Sequence, residues 1–262
     1  MKPPPDPKNA TGKRFGAFSA RYVNSPDHAS GSDLDELLRL ADPDPSWHAL
    51  DIATGGGHTA LKLAPHVARL VVSDLSLRML AAARQHLETQ GVTHAGYCPA
   101  DAENLPFAAG SFQLVTCRIA AHHFPNAARF VNEAARLLQP GGVLVVQDQV
   151  LPEDPTAARY LDAFETLRDP THQRGHATSE WEALFTGAGL GVEAAQKVHK
   201  RHNFAAWTSR QDNSPQTVAM LAALVAAAPP EARTWLDPQD FGTPEASFAI
   251  HYLLIRGVKP GE

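Results

Sequence analysis

The stretch Leu50-Asp51-Ile52-Ala53-Thr54-Gly55-Gly56-Gly57-His58 sets an apolar run, a glycine turn and a helix start in succession. Glycines permit positive φ and let a ligand approach the backbone closely. The free N–H groups at a helix N-terminus favour a carboxylate or a phosphate. Taken alone, the loop also reads as a plain turn between strand and helix. Asp74 closes the next apolar run, at the distance expected of an acid facing ribose hydroxyls. Two ligand classes fit this pair, because Gly55-x-Gly57-x-x-Ala60 also satisfies a dinucleotide fingerprint. Asp51 argues against a dinucleotide. It sits inside the strand before the loop, where a cationic group such as an α-ammonium is favoured and a pyrophosphate is not. Asp101-Ala102 adds an acceptor for an adenine amino hydrogen and an N–H for a ring nitrogen.

His122 and His123 follow the fourth apolar run, at the mouth where a substrate would enter. A histidine near its pKa at neutral pH can accept a proton. Adjacent residues seldom face the same way, so one is expected to point inward as a base and the other to pack. Asp148 ends the fifth run and is expected to face substrate. Arg168, Asp169, His172, Arg174 and His176 cluster further on and suit either an anionic substrate or a solvated, salt-bridged surface. His172 and His176 have i,i+4 spacing, but no companion completes a zinc motif, so no metal is expected. Trp181 and Trp207 read as core anchors.

These residues need a scaffold that brings strand ends together. Residues 47–53, 70–73, 96–100, 112–117 and 143–146 read as five strands. Helical patterns separate most of them, with Ser76 and Asn126 as N-caps and one expected helix over 58–66. Pro99 makes the third strand the weakest. Such alternation predicts a parallel sheet covered on both faces, with ligands at the carboxyl ends of its strands. Residues 191–198 and 247–258 read as two closing strands, and 204–228 as helices between them. The expected organisation is a flexible tail over 1–14, then a single domain over 15–262. Within it, 15–46 form a lid region, and 151–185 and 203–240 form cap or substrate elements.

The chain of 262 residues is 44% hydrophobic, enough for a packed core. Its net charge of -5, without a basic run, argues against nucleic-acid binding. Cys98 and Cys117 have neither zinc nor disulfide spacing. No stretch is long and apolar enough to span a membrane, and the N-terminus lacks the apolar core of a secretory leader. A cytoplasmic enzyme acting on a small molecule is expected, with a homodimer left open.

With Asp51, the glycine loop, Asp74, Asp101-Ala102 and Arg136-Leu137-Leu138-Gln139-Pro140-Gly141-Gly142 in place, the chain resembles the class I S-adenosylmethionine-dependent methyltransferases. It is most similar to the subgroup that includes the ubiquinone/menaquinone-biosynthesis methyltransferases, with motif detail over residues 15–150. It is closer still to a set of small bacterial methyltransferases that share Thr116-Cys117-Arg118-Ile119-Ala120-Ala121-His122-His123-Phe124, Arg168-Asp169-Pro170 and Ser179-Glu180-Trp181. The resemblance implies an α/β fold: a Rossmann-like seven-stranded sheet, helices on both faces and an inserted helical cap. It implies S-adenosyl-L-methionine as cofactor. Asp51, Ala53, Gly55 and Gly57 would line its methionine part, with Thr54 and Met79 also facing it. Asp74 and Leu75 would hold the ribose and adenine edge, Asp101 and Ala102 the adenine, and Arg118 would lie beside it. Tyr22 and His28 would come from a segment folded over it. Two departures stand out: Ala53 where the family often has glycine, and Gln113 where Phe-Asp is usual. The implied reaction is in-line methyl transfer, with His123 or His122 as base. Arg118-Ile119-Ala120-Ala121 replaces the Asn/Asp-Pro-Pro-aromatic tetrad of DNA amino-methylation. A non-catalytic S-adenosylmethionine-binding protein and a nicotinamide-dependent oxidoreductase are the alternatives.

Overall fold

The alternation of β-branched runs and amphipathic helices is realised in the computed structural model, which describes residues 6–23 and 32–261. Helices α1 (Pro7–Val23) and α2 (Ser32–Ala41) precede the sheet. Then come β1 (His48–Ile52), α3 (His58–Leu63), β2 (Arg69–Asp74), α4 (Leu77–Thr89), β3 (Ala95–Pro99), β4 (Phe112–Arg118), α5 (Ala127–Leu137) and β5 (Leu138–Leu151). The rest of the chain forms α6 (Pro155–Arg168), β6 (His176–Ala177), α7 (Thr178–Gly187), β7 (Gly191–Asn203), α8 (Phe204–Ser209), α9 (Pro215–Ala226), α10 (Pro230–Leu236) and β8 (Ser247–Val258).

Seven strands lie in the order β3-β2-β1-β4-β5-β8-β7, and the short β6 pairs with the end of β5 as an eighth. The first five strands are parallel, and β8 and β7 close the sheet antiparallel. This is the Rossmann-like sheet the motifs imply. Strand order reverses between β1 and β4, so a crevice opens at the carboxyl ends of β1 to β4. Pro99 is accommodated because β3 is an edge strand and Pro99 ends it.

Each face of the sheet is sealed by an apolar stripe. On one face Phe130, Val131 and Ala134 of α5 pack with Trp181 and Phe185 of α7. On the other, Leu37 and Leu40 of α2 meet Leu63 of α3 and Leu80 and Leu87 of α4. Phe130 is fully buried, and its replacement by alanine would cost about 3–5 kcal/mol. A third cluster, with Phe164, Trp207, Leu221, Leu236 and Phe248, builds the cap from α6, α8, α9, α10 and β8.

Three expectations need correction. Residues 7–14 do not form a tail but open α1, with Pro7 at its first position, where a missing N–H costs nothing. The helix expected over 58–66 ends at Leu63, and Pro65 lies in a 3-10 turn, Ala64–His66. The 151–185 segment is divided: α6 belongs to the cap core, whereas α7 packs on the sheet.

Candidate active site

The glycine turn is held from below. Asp51 is 1% exposed, and each of its oxygens accepts a hydroxyl hydrogen, from Thr54 at 2.6 Å and from Thr116 at 2.8 Å. Burial pushes its pKa up to about 6, against the pull of these hydroxyls and of Arg118. Asp51 therefore lies under the loop, outside the residues that line the cavity. Gly57 is also absent from the lining. Its φ is +82°, and a Cβ there would sit 2.5 Å from Leu87 Cδ1, so it is glycine for packing. Ala53 adopts φ +52°, the left-handed conformation for which glycine is the easier residue. On the far side of the turn, His86 Nδ1 donates to the Gly56 carbonyl at 2.7 Å and its ring meets His58 edge-on at 5.0 Å. Nothing in the motif reading pointed to His86.

Asp74 ties two backbone segments together. Its Oδ2 accepts from Gly55 N–H at 3.1 Å and its Oδ1 from Ser76 N–H at 2.8 Å. Burial raises its pKa to about 6 as well. Ser76 caps α4, as expected, by accepting from Met79 N–H. Asp74, Leu75 and Met79 line one wall of a cavity of about 980 Å³, and residues 53–56 form its floor. Asp101 and Ala102 after β3 form the opposite wall, and Arg118 and His123 close the inner end. Arg118 is fixed by Asp33 at 2.7 Å and Gln147 at 2.9 Å. Burial would raise the Asp33 pKa, but Arg118 and Lys200 hold it near about 2.

Helix α1 covers this cavity, which the tail expectation missed. Lys8 reaches Asp101 and Glu103, both at 2.7 Å, and Thr11, Gly12 and Phe15 join the lining. Gly12-x-x-x-Gly16 is the signal that could have found it: a Cβ on Gly16 would fall 2.7 Å from Ser76 Oγ, so α1 crosses the start of α4 on small residues. Tyr22 lies in α1 and its side chain is outside the described residues, as is the whole of His28.

His123 lines the first cavity and His122 does not, although both line a second space beyond it. His122 is buried and its Nδ1 donates to Asp148 Oδ1 at 2.5 Å, while its backbone N–H donates to Oδ2 at 2.7 Å. Burial opposes charge on His122, but the Asp148 carboxylate raises its pKa. Asp148 is 1% exposed and engaged with His122, so it orients that residue, and it is not among the residues that line either space. His123 lines the cavity, with Phe15 edge-on at 4.7 Å. Its Nδ1 donates to the Thr171 carbonyl at 3.1 Å, and burial followed by the His122 charge lowers its pKa, away from the near-neutral value expected of a base, so the ring is neutral but a weaker base.

Beyond His123 lies a second space of about 520 Å³, which shares Phe15, Ile119 and His123 with the first. Of the cap cluster, Arg168, Asp169 and His172 line it, together with His122. Arg174 does not; its guanidinium is exposed and paired with Glu180. Among the described residues, no group of three His, Cys, Asp or Glu is arranged to hold a metal ion, and no helix is long and apolar enough to cross a membrane.

The sheet order and the cavity at its carboxyl edge are those of the class I methyltransferases. The chain belongs to this family: a methyltransferase domain matches residues 50–146, and the uncharacterised methyltransferase YcgJ of Bacillus subtilis is 31% identical over 94% of this chain and 97% of its own. A Bacillus halodurans methyltransferase of known crystal structure superposes with a TM-score of 0.84 at 35% identity, covering 88% of this chain and all of that one. The ubiquinone/menaquinone biosynthesis C-methyltransferase UbiE of Ectopseudomonas mendocina is 30% identical over 57% of this chain and 62% of its own.

Proposed function

We propose that the chain binds S-adenosylmethionine in the first cavity and methylates a small molecule held in the second. The observation that carries this reading is the convergence of residues 53–56, Asp74, Asp101 and His123 on one space. The residues fit the cofactor. A Cβ on Gly55 would meet nothing within 4 Å, which leaves room for a ligand to press on the backbone. Asp74 stands where a ribose hydroxyl can donate to it, and Leu75 and Met79 offer apolar surface to an adenine ring. Two carboxylates, Asp51 and Asp74, give the floor a negative potential that favours a cationic ligand and disfavours the pyrophosphate of a nicotinamide dinucleotide.

When bound, S-adenosylmethionine supplies an electrophilic methyl group on a positively charged sulfur. The protein contributes alignment and exclusion of water. Phe15 of α1 lines both spaces at their junction, and Lys8, Thr11 and Gly12 cover the first. His123, with its hydrogen committed to Thr171 from Nδ1, keeps a bare Nε2 to take the proton of an acceptor. His122 and Asp148 hold the turn that presents His123. Free Cys98 and Cys117 agree with a reducing, cytoplasmic setting.

Calorimetry with S-adenosylhomocysteine and with NADH tests the reading. Binding of the first and not the second is expected; the reverse overturns it. Binding of S-adenosylhomocysteine without transfer to any acceptor would leave a binding role in place of an enzyme.

A further inference from the structure

The second space differs from the first in chemistry. Its wall carries Gln149 and Glu165, each 8% exposed, and Arg168, His172 and Tyr252. Among the described residues, the Gln149 side-chain amide makes no hydrogen bond, nor does the Glu165 carboxylate. Glu165 has cationic neighbours in Arg168, whose Nη1 stands 3.9 Å away, and His122, whose charge it favours. That guanidinium is turned to other partners: it donates to the Trp207 carbonyl at 3.3 and 3.2 Å and lies over the Trp207 ring at 4.3 Å. Both side chains line the space, where water or a ligand can supply the hydrogen bonds that the protein does not.

Behind these two residues is a third space of about 310 Å³, lined by Leu161, Phe164 and Leu236. Gln149 and Glu165 line both it and the second space. Ile250 lines both spaces as well, so an apolar chain reaching the recess would run beside Gln149 and Glu165 and displace water there without returning a hydrogen bond.

We propose that the second space is an acceptor site for a compact, hydrophilic molecule bearing an amine or hydroxyl hydrogen-bond donor, which Glu165 and Gln149 hold so that the acceptor atom faces His123. This rests on the methyl-transfer reading above. It distinguishes this chain from an enzyme that accepts a long-chain apolar substrate.

The test incubates the full-length protein with S-adenosylmethionine tritiated on its methyl group and a mixed small-molecule cell extract. Unreacted S-adenosylmethionine is removed by chromatography against a protein-free control, and the labelled products are then divided into water-soluble and hexane-soluble fractions. Label is expected in the water-soluble fraction. Glu165→Gln and Gln149→Leu are each expected to cut incorporation at least tenfold, with S-adenosylhomocysteine affinity by calorimetry within twofold of the parent. Label in the hexane-soluble fraction overturns the proposal. So does label in neither fraction while S-adenosylhomocysteine binds, and so do variants that transfer at the parent rate. The partition of label by the parent protein stands whether or not either variant folds. A parent protein that does not bind S-adenosylhomocysteine overturns the methyl-transfer reading itself, and calorimetry separates that failure from the others.

Discussion

The Thr171 carbonyl oxygen lies 3.1 Å from Nδ1 of His123, and because a carbonyl only accepts, that nitrogen carries the hydrogen of a neutral ring. The lone pair is then on Nε2. Thr171 is itself fixed by Asp169, whose Oδ1 accepts from the Thr171 N–H at 2.9 Å and from its hydroxyl at 2.7 Å. If Nε2 takes the acceptor proton, His123→Ala should lower kcat by roughly 100-fold, the lower end of what general-base catalysis contributes. S-adenosylhomocysteine affinity should change less than twofold. Asp169→Asn should lower kcat by a smaller factor and alter its pH profile. Steady-state kinetics alongside calorimetry check both, and an unchanged kcat for His123→Ala discards the base.

Asp51 and Asp74 share a second relationship, as acids whose pKa values burial lifts to about 6 from an ordinary 3.8. Between about pH 4 and 6 the folded protein holds protons that the unfolded chain has lost. Raising pH through that window therefore removes stability from the ligand-free protein. A cationic ligand has the opposite effect, since it stabilises the ionised carboxylates. The affinity for S-adenosylmethionine should fall as pH drops from 7.5 to 5.5, roughly threefold more steeply than for S-adenosylhomocysteine, which lacks the sulfonium charge. Asp51→Asn should flatten the difference. Parallel pH slopes for the two ligands would remove the electrostatic argument.

Asp74 can also be tested at one pH. Asp74→Ala frees the Gly55 and Ser76 N–H groups and removes the acceptor for a ribose hydroxyl. Binding of S-adenosylhomocysteine should weaken by about 1–3 kcal/mol. Unchanged affinity places Asp74 outside the ribose site.

The turn glycines separate packing from ligand access. Gly57→Ala combines a left-handed backbone with a Cβ 2.5 Å from Leu87 Cδ1, so unfolding in urea should show a loss of about 2–4 kcal/mol. Ala53→Gly should shift stability by less than about 1 kcal/mol, because relief of the left-handed strain is offset by a freer unfolded chain. A Gly57→Ala protein of parent stability would mean that α3 and α4 do not approach as closely as described here.

Much of this site was legible as strand ends. Runs such as Leu70-Val71-Val72-Ser73 can only be strands, and an alternating parallel sheet brings the residues after them to one edge, which is why Asp74, Asp101, Arg118 and His123 line a common cavity. The N-caps Ser76 and Asn126 read correctly because their geometry is local. Side-chain partners were not legible. Asp51 lies inside β1 as anticipated, whereas Asp148 lies within β5, which runs on to Leu151 past the expected end at 146; whether either carboxylate faces a cavity or a neighbouring Thr or His depends on contacts across the sheet. The cap residues carry no period that tells lining from surface, so Arg168 and Arg174 could not be told apart. Helix α1 was hidden because prolines, glycines and charges are also the composition of a tail.

That helix offers a last prediction. Lys8 holds Asp101 and Glu103 at one end of α1, and Arg14 holds Gln211 through Nε at 2.9 Å and Asp169 at 3.3 Å further along. Phe15 touches His123 between them. The closeness of α1 to α4 depends on Gly16, since a Cβ there would fall 2.7 Å from Ser76 Oγ. Gly16→Val adds a branched side chain at that contact and should lift α1 from the cavity without touching the sheet or the glycine turn. Dissociation of S-adenosylhomocysteine should become faster by roughly fivefold or more, because changes to a covering element act mainly on off-rates. The thermal midpoint of the ligand-free protein should move by only a few degrees, since the sheet cores built on Phe130 and Leu63 do not include α1. Stopped-flow displacement and a melting curve on the same sample check the two halves of the argument. An unchanged off-rate would mean that α1 rests on the cavity without retaining what it holds.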